Sequence, residues 1–256
     1  MNFFSQPHVK LTNQTFICVP CKKGWIMKKK LLAIITTAFV AALAFALVGC
    51  GGNSDSGESG SSSPELRFVT GGESGTYYAY GTVLAQYSTN NADVPVNALS
   101  SEGSKANIES LQNNEAELAF CQSDVTTYAY EGTSLFEGAP YQDFSVVAAL
   151  YGEQVQIVTC DPNIKTVADL KGKTVSIGAA NSGVYFNAID ILGAYGMTEE
   201  DINAVYQNFA DSADSLKNNK IDAAFITAGA PTTAISDLTP SKQAYLVSMD
   251  AEHIAA

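Results

Sequence analysis

Leu66-Arg67-Phe68-Val69-Thr70-Gly71-Gly72-Glu73-Ser74-Gly75-Thr76-Tyr77-Tyr78 carries the architecture of this chain in miniature. A β-rich run, Leu66 to Thr70, stops at two glycines. From Gly75 to Tyr87 the apolar residues Tyr77, Tyr80, Val83, Leu84 and Tyr87 then recur at helical spacing. The same alternation continues outward. Val94 to Leu99 reads as a strand, Ser104 to Leu111 as a helix, Leu118 to Cys121 as a strand and Asp124 to Tyr130 as a helix. Strands alternating with helices predict parallel βαβ units.

The second half repeats the pattern. Val155 to Cys160 reads as a strand, Val167 to Leu170 as a short helix and Thr174 to Ile177 as a strand. Ser182 to Tyr195 is a helix that Gly196 closes. Val205-Tyr206 is a short strand, Asp211 to Asn218 a helix, Ile221 to Ile226 a strand, Ala230 to Leu238 a helix and Ala244 to Val247 the last strand. This predicts an α/β fold of two domains, residues 65–150 and 151–256, with the crossing near Ala148 to Gln156. Asp250-Ala251-Glu252 reads as a helix start only a few residues before the final Ala256. We expect the C-terminal part of the fold to be missing from this sequence.

Three strand-to-helix turns share a chemistry. They are Thr70 to Tyr78, Ser100-Ser101-Glu102-Gly103-Ser104-Lys105-Ala106-Asn107, and Gly178-Ala179-Ala180-Asn181-Ser182-Gly183-Val184-Tyr185. Each puts glycine and hydroxyls where a strand ends and a helix begins. Glycine admits a close backbone approach, and a first helical turn offers N–H groups to an anion. The competing reading is that Ser and Thr cap these helices and Gly makes the turns. Open α/β sheets bind ligands at the carboxyl ends of their strands, where these turns lie. The candidates are Gly72, Ser74, Gly75, Thr76, Tyr77 and Tyr78 in the first turn. The second gives Gly103, Ser104 and Asn107, and the third Asn181, Ser182 and Gly183. Tyr77 and Tyr78 are adjacent on a helix, so both cannot face one pocket.

Composition excludes several functions. Six of the 14 basic residues, and none of the 26 acidic ones, precede Cys50. From Cys50 onward eight basic residues face 26 acidic ones, a net charge of −18. Nucleic acid is therefore excluded as a partner. The two His, His8 and His253, lie at opposite ends, which leaves no material for a His-based triad or a zinc site. Five scattered Cys make no disulfide framework. No G-x-S-x-G is present, and Gly172-Lys173-Thr174 lacks the leading Gly of a P-loop because Val167 stands there. No catalytic residue, metal ligand or cofactor is expected. Cys121 and Cys160 sit in apolar runs and read as small hydrophobes.

The N-terminal part has its own logic. Met27 is followed by Lys28-Lys29-Lys30, an uncharged apolar run from Leu31 to Val48, and Leu47-Val48-Gly49-Cys50. That is the layout of a secretory signal over residues 27–49. The alternative is a permanent transmembrane helix. Leu-x-Gly-Cys resembles the lipobox of bacterial lipoproteins, which implies Cys50 as the lipid attachment site. Residues 50–64 are mostly Gly, Ser, Asn, Asp and Glu and read as a flexible tether. Residues 1–26, with the C-x-x-C of Cys18-Val19-Pro20-Cys21, read as a doubtful extension upstream of the true start.

Residues 66–256 resemble the TAXI family, the extracytoplasmic solute-binding proteins of TRAP transporters. The resemblance rests on Gly71 to Tyr78, Ser104-Lys105-Ala106-Asn107-Ile108, Gln122-Ser123-Asp124, Asn181-Ser182-Gly183 and the segment Ile221 to Pro231. Glu102 departs from it, standing where a small residue is usual. The resemblance implies a two-lobed trap of the type II periplasmic-binding class, with a ligand held in the central cleft. It adds Gln122, Ser123, Gly229 and Pro231 to the ligand-binding candidates. It also implies a small organic acid or acidic amino acid such as glutamate as ligand, and an ion-driven TRAP permease in the membrane as partner. The chain itself would be lipid-anchored outside the cell membrane. The alternatives are an ABC-type solute-binding protein, an external sensor domain, or an enzyme on the same fold.

Overall fold

The computed structural model describes residues 13–21 and 64–254. The signal segment, Cys50 and the tether to Ser63 lie outside the described residues. So does His8.

The first lobe contains strands β1 (Gln14–Pro20), β2 (Leu66–Val69), β3 (Val96–Leu99), β4 (Leu118–Gln122) and β5 (Phe144–Gly152). Its helices are α1 (Thr76–Asn91), α2 (Ser104–Gln112) and α3 (Ser123–Glu131). The sheet order is β3-β2-β4-β1-β5. Strands β3, β2 and β4 are parallel, with Leu66 opposite Val96 and Val69 opposite Ala119. β1 is antiparallel to both neighbours, with Cys18 opposite Ala119 of β4 and Val146 of β5. The segment expected to precede the true start is therefore an inner strand of this sheet. Its Cys18 is fully buried.

β4 shows why the layers form. Its residues alternate between the two faces, as a strand requires. Phe120 joins Phe68 and Tyr77 under α1, while Ala119 and Cys121 join Ile108, Leu111 and Val125 under α2 and α3. Only part of the stripe expected on α1 is buried. Tyr77 is buried and Leu84 packs against the core, but Tyr80, Val83 and Tyr87 are exposed, and Gly81 and Ala85 complete the buried face. A Cβ built on Gly81 would lie 2.5 Å from Thr70 Cγ2, so only glycine lets α1 sit this close to the sheet.

The second lobe contains β6 (Gln154–Thr159), β7 (Thr174–Ser176), β8 (Asn203–Val205), β9 (Ala223–Ala228) and β10 (Tyr245–Leu246). Its helices are α4 (Gly183–Ala194), α5 (Phe209–Lys217), α6 (Thr233–Leu238) and α7 (Ala251–Ile254). Sheet order is β10-β6-β9-β7-β8. All six residues of β9 are buried, as expected of a strand covered on both faces. β7 is parallel to both β8 and β9, while β6 is antiparallel to β9 and β10 to β6. Both sheets are thus mixed, and among the strands parallel pairing is confined to β2, β3 and β4 and to β7, β8 and β9, with one isolated parallel bridge between Thr166 and Ser248. Glu153 alone separates β5 from β6, so the lobes join where the chain was expected to cross.

Candidate functional site

Four strand-to-helix turns meet between the lobes around a cavity of about 70 Å³. The turn into α1 gives Gly72, Ser74, Gly75, Thr76 and Tyr77, and the turn into α2 gives Ser101, Glu102, Gly103 and Ser104. Gln122 closes the lobe 1 side. From lobe 2 come Ala179, Gly183 and Val184 at the start of α4, and Gln207, Asn208 and Phe209 at the start of α5. Thr227 and Ala228 of β9 and the linking Glu153 complete the lining.

The helix starts differ between lobes. α1 and α2 are preceded by Gly75 and Gly103, and no side chain caps either. The first-turn N–H groups of α1, and those of Ser104 and Lys105 in α2, are left for an anion to satisfy, while Ala106 N in α2 already donates to the Asn181 carbonyl. The starts of α4 and α5 are capped by their own side chains. Ser182 Oγ accepts from Tyr185 N at 3.3 Å, and Asn208 Oδ1 accepts from Asp211 N at 2.9 Å. Glycine makes the open pair possible: Gly103 has a φ of 125°, in the region that side chains avoid.

Of the residues singled out in the sequence, Gly72, Ser74, Gly75, Thr76, Tyr77, Gly103, Ser104, Gln122 and Gly183 line the cavity. The others have different neighbours. Asn107 is fully buried and donates Nδ2 to the carbonyls of Thr70 and Phe120, at 2.6 and 2.7 Å, so it ties β2 to β4. Ser123 Oγ accepts from Gln14 N. Ser182 is the cap described above. Asn181 bridges the lobes: its Nδ2 donates to Glu102 Oε2 at 2.7 Å, and its carbonyl accepts from Ala106 N at 3.1 Å. Tyr78 is half-buried on α1, Gly229 packs near Thr76 and Tyr151, and Pro231 is exposed after a cis peptide bond.

Two groups at the cavity were not read from the sequence. One is the Gln207-Asn208-Phe209 turn, which has no glycine and so escaped a search for glycine-rich turns. The other is Glu153, only 6 % exposed, whose Oε2 accepts from Tyr77 OH at 3.0 Å. Burial pushes its carboxyl up to about 8, against the lowering effect of the Tyr77 hydroxyl. Tyr77 is itself held well above the ordinary phenol range, chiefly by burial and then by Glu153.

Contacts beside the cavity hold the lobes together. Gln122 Nε2 donates to Asn187 Oδ1 at 2.9 Å, and Thr227 Oγ1 donates to the same atom. Asn187 Nδ2 donates to Asp124 Oδ2 at 2.7 Å, and Tyr128 OH to Asp190 Oδ2 at 2.9 Å. Phe186 of α4 stacks on Tyr128 and Phe136 of lobe 1, with ring centroids 5.5 and 6.0 Å apart. A Cβ on Gly183 would collide with the Gln122 carboxamide, so this glycine is what lets the two lobes touch at the cavity.

Among the described residues no cluster of His, Cys, Asp or Glu could hold a metal ion. No described helix is long and apolar enough to cross a membrane.

Comparison with known proteins agrees with this geometry. A family model described as the NMT1-like family matches residues 68–256. An ancestral arginine-binding protein bound to arginine superposes with a TM-score of 0.52 at 18% identity, covering 73% of this chain and 80% of that one. An arginine-bound mutant of the arginine-binding protein of T. maritima gives 0.51 at 16% identity, covering 72% and 82%. The alkanesulfonate-binding protein of Xanthomonas axonopodis pv. citri, bound to MOPS, gives 0.48 at 20% identity, with 72% of this chain and 60% of that one covered. The chain thus spans less than two thirds of the length of that protein. The fold is two-lobed α/β, of the type II periplasmic-binding class.

Proposed function

The chain belongs to the NMT1-like family, and from that premise we propose that it is an extracytoplasmic solute-binding protein that traps a small ligand between its lobes. It is read as a carrier, with no chemistry done on the ligand. One observation carries the reading: the uncapped starts of α1 and α2 converge on an interlobe cavity closed from the other side by lobe 2. Such donors favour a carboxylate, as in a small organic acid or an amino acid such as glutamate. Each exposed helix end contributes about 0.3–1 kcal/mol, and up to about 2 when partly buried. The −18 charge beyond Cys50 argues against long-range attraction of anions, so recognition is at short range.

The finer reading follows the TAXI resemblance. The closed form would dock on a TRAP permease, and a lipid at Cys50 would hold the protein at the membrane. Cleavage before Cys50 would also sever β1 from the rest of the fold, so the anchored chain and the β1-paired chain differ in mass. Cys50→Ala should release the protein from the membrane fraction; unchanged retention with a cleaved signal would remove the anchor.

The binding role is tested by a thermal-shift screen of small carboxylic acids and amino acids. A ligand at a hundredfold its Kd adds about 2.7 kcal/mol of apparent stability. Gly183→Val should abolish the shift while leaving the unliganded protein folded, because it fills the place where Gln122 meets α4. A full shift in that variant would take α4 out of the site.

A further inference from the structure

We propose that Glu153 recognises a positively charged nitrogen on the ligand, so that the solute is zwitterionic: a small amino acid or related amine-bearing acid. This rests on the solute-binding reading above and names the ligand class of the same site.

Charge around the cavity is of one sign. Among its lining residues only Glu102 and Glu153 carry charge, and both are acids. Glu102 is exposed at the rim and engaged by Asn181 Nδ2. Glu153 is enclosed, and no Lys, Arg or His lines the cavity beside it. A buried carboxylate without a cationic partner is costly. Tyr77 OH supplies one hydrogen bond and no charge. None of the groups nearby is a cation, although the Thr15 hydroxyl, like that of Tyr77, lowers the Glu153 pKa. Asp124 of α3 raises the Glu153 pKa through its charge, and Tyr151 of β5 and Thr15 of β1 bring only hydroxyls. The charged partner that is missing from the protein is supplied by an ammonium group on the ligand.

The cavity also has a second unmet acceptor. Gln207 Oε1 is buried without a hydrogen-bond partner, while its Nε2 donates to Ser215 Oγ at 3.1 Å. Gln207 Oε1 and Glu153 are both acceptors on the lining, whereas the open helix starts of α1 and α2 are donors. Acceptors suit an ammonium and donors suit a carboxylate, so one small molecule carrying both groups satisfies the site. A plain carboxylate could sit beside Glu153 only in its protonated form and would leave the Gln207 acceptor unmet.

The proton inventory gives a test with a sign. With Glu153 near 8, much of the free protein carries a protonated carboxyl at pH 7. An ammonium ligand favours the ionised form, so binding expels a proton and tightens as pH rises from 6 to 8. A ligand with only a carboxylate favours the protonated form and weakens over the same range.

The experiment is titration calorimetry with matched pairs, L-glutamate against glutarate and L-alanine against propionate, at pH 6 and 8. We expect the amine-bearing member of a binding pair to bind at least tenfold more tightly. Its affinity should rise with pH. Glu153→Gln should erase both the preference and its pH dependence. If that variant does not fold, Glu153→Asp keeps the charge but withdraws it by one methylene, and should reduce the preference without affecting the amine-free analogue. Equal affinity for both members of a pair, or an undiminished preference in a folded Glu153→Gln protein, overturns the assignment of Glu153 and leaves the solute-binding reading intact. Silence from all four probes, together with an empty thermal-shift screen, overturns the reading beneath it as well.

Discussion

The two lobes reach similar architectures by different means. Lobe 2 takes its whole sheet from one continuous run, Gln154 to Leu246, and its largest core cluster gathers α4, β7, β9 and the segments between them. Lobe 1 borrows. Its inner strand β1 comes from Gln14–Pro20, far upstream of β2, and its core receives Phe186 from α4 of the other lobe. A lobe that needs a residue from its partner to fill its core is stabilised by contact with that partner. On the solute-binding proposal, ligand capture and the packing of lobe 1 would therefore be linked, while lobe 2 is the more self-sufficient scaffold.

The most damaging way to break this contrast is to empty the borrowed position. Phe186 is 1 % exposed between Tyr128 and Phe136. Phe186→Ala should cost about 3–5 kcal/mol and weaken ligand binding, because the lost contacts exist only when the lobes touch. Leu192, on the same helix, lies within the core of lobe 2. Leu192→Ala should cost about 2–5 kcal/mol with affinity retained in the folded protein. Denaturant unfolding and titration on both variants decide the matter. Equal loss of affinity in the two would dissolve the distinction between borrowed and owned core.

Acids at the lobe junction and acids that cap turns of lobe 2 are shifted in opposite directions, and pH separates them. Burial raises the pKa of Asp124 on α3 and of Glu153 at the lobe junction, the latter to about 8. In lobe 2, burial likewise raises Asp190 of α4 at the contact with Tyr128, whereas the exposed Asp169 and the partly buried Asp201 are lowered, first by backbone N–H groups that they cap. The signs are opposite. Between the ordinary glutamate value of 4.5 and about 8, the folded state holds a Glu153 proton that the unfolded state has lost. Stability therefore falls as pH rises through that window, by at most about 1.4 kcal/mol per unit for this group. The capping acids contribute above 3.8, and their contribution is lost as pH falls through their lowered values. Melting temperature should thus decline from pH 5 to pH 8, and Glu153→Gln should flatten the decline. A rising curve in the unmodified protein would overturn the buried-acid account.

Much of this was legible because βαβ units announce themselves locally. Apolar runs ending in glycine placed β2, β7 and the starts of α1 and α4 from short-range pattern alone. The three glycine- and hydroxyl-bearing turns do meet at one cavity, since strand ends on the same edge converge whatever their sequence separation. The pairing of β1 was not legible. Nothing local in Gln14–Pro20 says that it inserts between β4 and β5. The Nδ2 of Asn107 clamps two strands, a tie that its place in a turn does not announce, because a turn asparagine can satisfy backbone as readily as solute. Glu153 had a signal that was overlooked: a lone acid between two apolar runs, Phe144–Gly152 and Gln154–Thr159. A charge there is buried at a lobe junction. The cap Asn208, three residues before Asp211, marked the fourth turn without glycine.

The smallest effects sharpen the contrast most directly, since they compare one substitution in two helices. Gly81 on α1 and Gly193 on α4 are both helical glycines, and propensity alone favours alanine at each by about 0.5–1 kcal/mol. Their surroundings differ. A Cβ at Gly81 would meet Thr70 Cγ2 at 2.5 Å and Phe120 at 3.2 Å, both fixed in lobe 1. A Cβ at Gly193 meets nothing within 4 Å. At Gly81 the collision forces α1 off the sheet, with an overpacking cost of about 1–3 kcal/mol that outweighs the propensity gain. Because α1 also presents Thr76 and Tyr77 to the cavity, Gly81→Ala should weaken ligand binding along with stability. Gly193→Ala should stabilise by up to about 1 kcal/mol, less if the last turn of α4 frays, and leave affinity unchanged. Thermal melts of the two single variants and of the pair settle it. Sites without shared neighbours should add within about 0.5 kcal/mol. A stabilising Gly81→Ala would mean that α1 can lift without cost, and that glycine there is not what seats the first helix of the site.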